Sequence, residues 1–236
     1  MENFTSTFGN SAANALPEQR ASFIRKTYLL LAAAIVGFIV VEGFLFQSGA
    51  AYVITNTIFG KGGIGWLAVL LPFIGISWVA NRWAVSESST AVQYLGLGVY
   101  VVAEALIFAP LIFLSMAYTQ DPTVLLKAGV VAVGLFLGIT AVVFLTKTDF
   151  SFLGSILAVA GFAALGLIVA SILFGFTLGN IFAFAMVAFA GTAILYNTSN
   201  VLHRFNTNQH VAAALTLFAS IALLFWYVLR IFTSRR

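Results

Sequence analysis

The chain has 236 residues, 61% of them hydrophobic, with 11 Lys or Arg against 7 Asp or Glu. A charged fraction of 8% excludes a water-soluble globule, in which about a quarter of the residues are charged. The net charge of +4 comes from basic residues scattered over the ends of apolar runs, which excludes a nucleic-acid surface, and the lack of cysteine excludes disulfides, thiol nucleophiles and thiolate metal sites.

In chain order, residues 1–26 are polar, end in Arg20, Arg25 and Lys26, and show no helical stripe. They are expected to form a flexible N-terminal tail ahead of a transmembrane domain over 27–236. The first apolar run, Thr27 to about Phe46, is too long for a signal-peptide core and is read as the first span. Six more follow at 63–84, 91–117, 123–146, 152–177, 180–203 and 210–233, each near the roughly 20 residues that a crossing needs. Ser88 or Ser89 can cap the third span, and Asp121-Pro122 opens the fourth with an acceptor and a rigid first-turn residue. Lys147 sits at the carbonyl end of the fourth span, and Thr148-Asp149 can cap the fifth. The uncharged stretch 175–180 divides the fifth from the sixth; if those two are one broken element, the count is six. Residues 206–209 make the turn before the last span. Alternating segments of about ten residues, which a membrane β-barrel needs, are absent. The expected fold is an all-α integral membrane protein, a bundle of seven transmembrane helices. Gly134 and Gly138 form a GxxxG pattern, read as close helix packing inside the monomer.

Basic residues near span ends set orientation. With the N-terminus in the cytoplasm, Arg20, Arg25, Lys26, Arg82, Lys147 and Arg204 lie inside, against Lys61 and Lys127 outside. Arg230, Arg235 and Arg236 point the other way if seven crossings place the C-terminus outside.

A charged side chain within the bilayer costs about 2.5–3.5 kcal/mol on insertion scales, so each needs a partner, a water cavity or a function. Glu104 lies in the middle of the third span. It is either a carboxylate that exchanges a proton or binds a cation, or a neutral acid that locks helices together with help from the Tyr100 hydroxyl one turn earlier. Glu42, toward the outer end of the first span, is a candidate for the same ion pathway or a solvated helix end. Arg82 is a candidate counter-ion, although Arg82 and Arg230 can both snorkel to the headgroups. If the last turn centres near Asn208, Asn197 and Ser220 both stand roughly 17 Å from it. They should therefore face each other near the membrane centre, where a neutral interhelical hydrogen bond is the ordinary explanation.

Several catalytic classes lack their residues. There is no His-Glu-x-x-His helix, and the two histidines, His203 and His210, flank a loop. The glycines of 60–65 do not have phosphate-loop spacing. The expectation is a protein that is not an enzyme and uses no cofactor or metal centre.

The stretches 140–154 and 191–200, with Leu229-Arg230 at the end of the last span, resemble the Bax inhibitor-1 family, also called the transmembrane Bax inhibitor motif family. The likeness runs from about residue 27 onward. It implies a seven-helix bundle with the seventh helix central, a cytoplasmic N-terminus, location in a bacterial inner membrane, and a cytoprotective or calcium-handling role. Bacterial relatives include a pH-sensitive calcium leak and modulators of a membrane-bound protease. The family's leak model rests on two aspartates and an arginine. On the matching motifs those aspartate positions are Asn197 and Ser220, and Arg82 is the match to the arginine. Because Asn and Ser do not titrate, the family's calcium and proton mechanism does not transfer intact, and Glu104 and Glu42 are the candidates for a substitute charge. The partners implied are the lipid bilayer with calcium or protons, or else a membrane protease.

Overall fold

The structure, a computed structural model, describes residues 11–60, 63–85 and 89–234. These form α1 (Pro17–Gln47), α2 (Ala50–Phe59), α3 (Gly63–Val85), α4 (Thr90–Thr119), α5 (Val124–Thr146), α6 (Leu153–Phe174), α7 (Gly179–His203) and α8 (His210–Thr233). All except α2 are long and apolar enough to cross a membrane, seven among the described residues. The fold is therefore an all-α, multi-pass membrane bundle, as the apolar runs predict. Such runs become helices because a helix satisfies every backbone polar group within its own segment, the only open arrangement that hydrocarbon allows.

Two elements differ from expectation. Helix α1 begins at Pro17 rather than Thr27, with proline in its first turn and Glu18 beside it, both favourable at a helix start. Its buried Phe23, Thr27 and Leu31 continue one stripe at helical spacing, so the polar stretch from 17 to 26 is the first part of a packed helix. Ahead of it, Ala12 is fully buried and its N–H donates to the Phe205 carbonyl at 2.9 Å, docking residues 11–12 on the turn between α7 and α8. The second difference is α2, which follows a left-handed Gly49 (φ 75°). At 10 residues it is too short to cross, and it packs on α3 and α4.

The helix boundaries follow local chemistry. Asp121 accepts the Thr123 N–H at 2.9 Å and the Thr123 hydroxyl at 2.6 Å, and its other oxygen accepts Lys127 Nζ at 2.8 Å. The turn into α5 is thereby fixed. Bonding from the Lys127 ammonium first, then from Thr123, holds the Asp121 carboxyl well below the usual carboxylate range. Gly175 (φ 71°) and Gly179 (φ 64°) take left-handed conformations open to glycine, separating α6 from α7 and giving seven crossings instead of six. Ser89 stands at the start of α4 without a side-chain cap bond. Ser88, Lys61, Arg235 and Arg236 lie outside the described residues.

Helix α8 is the centre of the bundle. Within its most apolar window 72% of residues are buried, against 6% for α6, and it packs on α1, α3, α4, α5 and α7. Phe108 of α4 meets Trp226 of α8 edge-to-face at 4.9 Å and stacks on Phe225 at 5.8 Å. A close glycine approach between α3 and α4 is at Gly96, where an added Cβ would lie 2.7 Å from the Ala80 carbonyl oxygen of α3. Gly134 and Gly138, by contrast, would meet nothing within 4 Å, so the GxxxG pattern makes no close packing inside the monomer. The two glycines are exposed on a face of α5 that no other helix among the described residues covers.

Candidate functional site

Helices α7 and α8 are antiparallel neighbours across the turn at 204–209, so residues equally far from the turn lie at equal depth. Asn197 Nδ2 donates to Ser220 Oγ at 2.8 Å and approaches the Thr216 carbonyl at 3.4 Å. Ser220 Oγ in turn donates to the Thr216 carbonyl at 2.9 Å, the back-bond that a hydroxyl in a helix readily makes. The pair expected from counting along the sequence is present, and it is neutral.

This pair forms one wall of a cavity of about 370 Å³ between α3, α4, α7 and α8, whose polar lining is Ser77, Asn81, Tyr100, Asn197, Thr216 and Ser220. The Ser77 hydroxyl oxygen is buried without a hydrogen-bond partner. Tyr100 comes from the buried face of α4, and its hydroxyl interacts electrostatically with the Glu104 carboxyl one turn further on. Glu104 is 7% exposed and does not itself line the cavity. Its carboxyl is linked to the polar space through the tyrosine. Ser77 and Asn81 were missed in reading the sequence, although their spacing of four on an apolar span places two polar side chains on one helix face.

The other charged candidates lie elsewhere. Arg82 is exposed, with its guanidinium 5.4 Å above the Trp78 ring of its own helix; its neighbour Asn81, not Arg82, lines the cavity. Glu42 is 7% exposed and faces a separate, apolar cavity between α1, α4, α5 and α8. It is not a solvated helix end, because α1 continues to Gln47 and the carboxylate is turned inward.

At the α7 end nearest the turn, Ser199 Oγ accepts the Phe150 N–H at 2.8 Å. Asp149 accepts the Ser151 N–H at 2.9 Å, and Arg204 donates to the Ser151 hydroxyl at 2.6 Å. Asp149 thus organises the turn before α6 instead of capping the helix. The Ser151 backbone bond, first among its neighbours, holds the Asp149 carboxyl below its ordinary value. The two stretches that carry the family resemblance are in contact here.

The family model described as "Inhibitor of apoptosis-promoting Bax1" matches residues 20–236. The chain belongs to the Bax inhibitor family. Among relatives of this Bax inhibitor family member, Protein LIFEGUARD 4 of Arabidopsis thaliana is 30% identical over 92% of this chain and 87% of its own length. The Golgi anti-apoptotic protein of Vaccinia virus (strain Lister) is 27% identical over 95% of the chain and 90% of its own. An uncharacterized protein of Pseudomonas aeruginosa is 25% identical over 93% of both. No solved structure matches the chain. In this Bax inhibitor family member, the positions that the resemblance matches to an aspartate pair hold a neutral hydrogen bond, with a buried carboxylate one tyrosine away.

Proposed function

We propose that this Bax inhibitor family protein is a proton-sensitive cation leak of a bacterial inner membrane, passing calcium or protons, with its N-terminus in the cytoplasm. It is read as a protein without catalytic activity, cofactor or metal centre. The observation that carries the reading is Tyr100, which lines the polar cavity and stands one helical turn from the buried Glu104, with which its hydroxyl interacts electrostatically. A carboxylate in low dielectric is expensive to leave charged and alone. Glu104 therefore takes up or releases a proton by way of the tyrosine hydroxyl and the cavity, and the change in charge alters how a cation is received there. Arg82, exposed beside Trp78, serves orientation at the headgroups and not the pathway. The vaccinia relative's name, an anti-apoptotic protein, supports a cytoprotective role for such a leak.

The test is calcium and proton flux in proteoliposomes measured against pH. Flux is expected to be pH-dependent, and Glu104→Gln is expected to reduce it about tenfold, equivalent to ~1.4 kcal/mol, with Tyr100→Phe following in the same direction. Unchanged flux in Glu104→Gln removes Glu104 from the mechanism. Absence of flux from the unaltered protein removes the leak. A second reading, a non-conducting protein that restrains a membrane protease or another integral partner, is favoured by one observation: the Asn197–Ser220 pair has no charge with which to gate. Crosslinking in native membranes that recovered no integral partner would count against it.

A further inference from the structure

The cavity that Glu42 faces has a volume of about 600 Å³, within the range that accommodates a drug-sized molecule. Phe38, Ile39, Phe108, Met116, Leu126 and Phe225 are among its walls, and Glu42 is the one lining residue that ionises. Both carboxylate oxygens of Glu42 are buried without a hydrogen-bond partner, a condition that packing alone does not relieve. Helices α1 and α5 meet where Tyr28 touches Phe144 edge-to-face at 5.9 Å. Further along, toward Glu42, the cavity lies between them. Its rim residues Ile39 and Leu126 are 61% and 68% exposed on a surface that faces lipid, so the approach is lateral, from the bilayer. Gly43 and Gly129 line the space, and a Cβ added at either would meet nothing within 4 Å.

We propose that this cavity binds a membrane-dissolved lipophilic amine, its apolar body among the aromatic rings and its ammonium group against Glu42. A lipid tail alone would fill the space and leave the carboxylate unpaired. A fatty acid would bring a second carboxyl to the first, and an alcohol offers a single neutral donor. An ammonium group offers three donors and the complementary charge, and a charge-assisted bond is about twice as strong as a neutral one. Water is a poor substitute, because no second polar side chain lines the wall to hold it in place.

The experiment uses the full chain in lipid nanodiscs with a diazirine-bearing dodecylamine, compared with the matching dodecanol and dodecanoate probes. Labelling is read by mass spectrometry of the peptides that carry Phe38, Met116 and Leu126. The amine is expected to label these sites roughly tenfold more than the alcohol, and the carboxylate probe least. Glu42→Gln should bring the amine down to the alcohol's level, and Gly129→Leu, which fills the cavity while leaving Glu42 in place, should reduce labelling by all probes. Equal labelling by amine and alcohol in the unaltered protein, or an amine preference that survives Glu42→Gln, would overturn the proposal and leave a slot for lipid chains. Should Glu42→Gln fail to fold, Gly129→Leu decides: amine labelling that persists with the cavity filled overturns it equally.

Discussion

Asn197 and Ser220 join α7 to α8 through groups that carry no charge at ordinary pH. An interhelical bond of this kind within a membrane is worth about 1 kcal/mol. A double-mutant cycle of Asn197→Ala and Ser220→Ala should therefore return a coupling of about 1 kcal/mol in unfolding experiments. The coupling should be the same from about pH 5 to about pH 8, where only histidine among unperturbed side chains changes charge; a coupling that varied with pH would show that a neighbouring ionisable group takes part. Asp121 behaves in the opposite way. Its folded-state carboxyl is held below the ordinary range, so its stabilising contribution is present above that range and is lost as pH falls through the lowered value. Asp121→Asn should lower the melting temperature slightly at neutral pH, and the difference from the unaltered protein should narrow progressively below about pH 4. A constant difference at every pH would point to lost geometry in the turn rather than lost charge.

Among the elements, the crossing of α3 and α4 turns on Gly96. The atoms nearest a Cβ there are the Ala80 carbonyl oxygen at 2.7 Å, Trp83 Cβ at 3.0 Å and the Ala84 nitrogen at 3.1 Å, and backbone atoms do not swing aside. Gly96→Ala should cost about 1–3 kcal/mol, as overpacking does, measured by thermal or denaturant unfolding in detergent. Gly134→Ala and Gly138→Ala enter open space and should fall within about 0.5 kcal/mol of the unaltered protein. The same sequence pattern that marks close approach elsewhere marks nothing here. Glycine spacing is visible in the sequence, whereas the neighbour it would admit is not.

At the scale of the whole molecule, α8 is enclosed by α1, α3, α4, α5 and α7, and the segment before α1 closes one end of the bundle by pairing Ala12 with Phe205. That docking makes residues 11–12 part of the packed body. Removing residues 1–16 deletes a buried alanine and a backbone hydrogen bond to the turn between α7 and α8. The expected outcome is a fall in melting temperature of about 2–5 °C with the helical content of the spans retained, checked by circular dichroism. An unaltered melting temperature would show that the contact adds nothing to the bundle.

The sequence by itself determined the class, the apolar runs and most of their boundaries, because apolar length and the charges and turn residues between runs act locally, while the choice between six and seven crossings waited on the left-handed Gly175 and Gly179. It also determined that Asn197 and Ser220 meet, since two antiparallel helices joined by a short turn have depths set by counting residues. The start of α1 was hidden because its first ten residues contribute a single buried side chain, Phe23, to the stripe that Thr27 and Leu31 continue, and α2 because a short apolar helix resembles a loop between spans. Only the tertiary structure decided where each charge points. A helix that is apolar on all sides carries no stripe to reveal its rotation, and each residue advances the side chain by about 100°. The packing of helices around α8 therefore places Glu104 behind Tyr100, Glu42 in an apolar cavity and Arg82 at the surface.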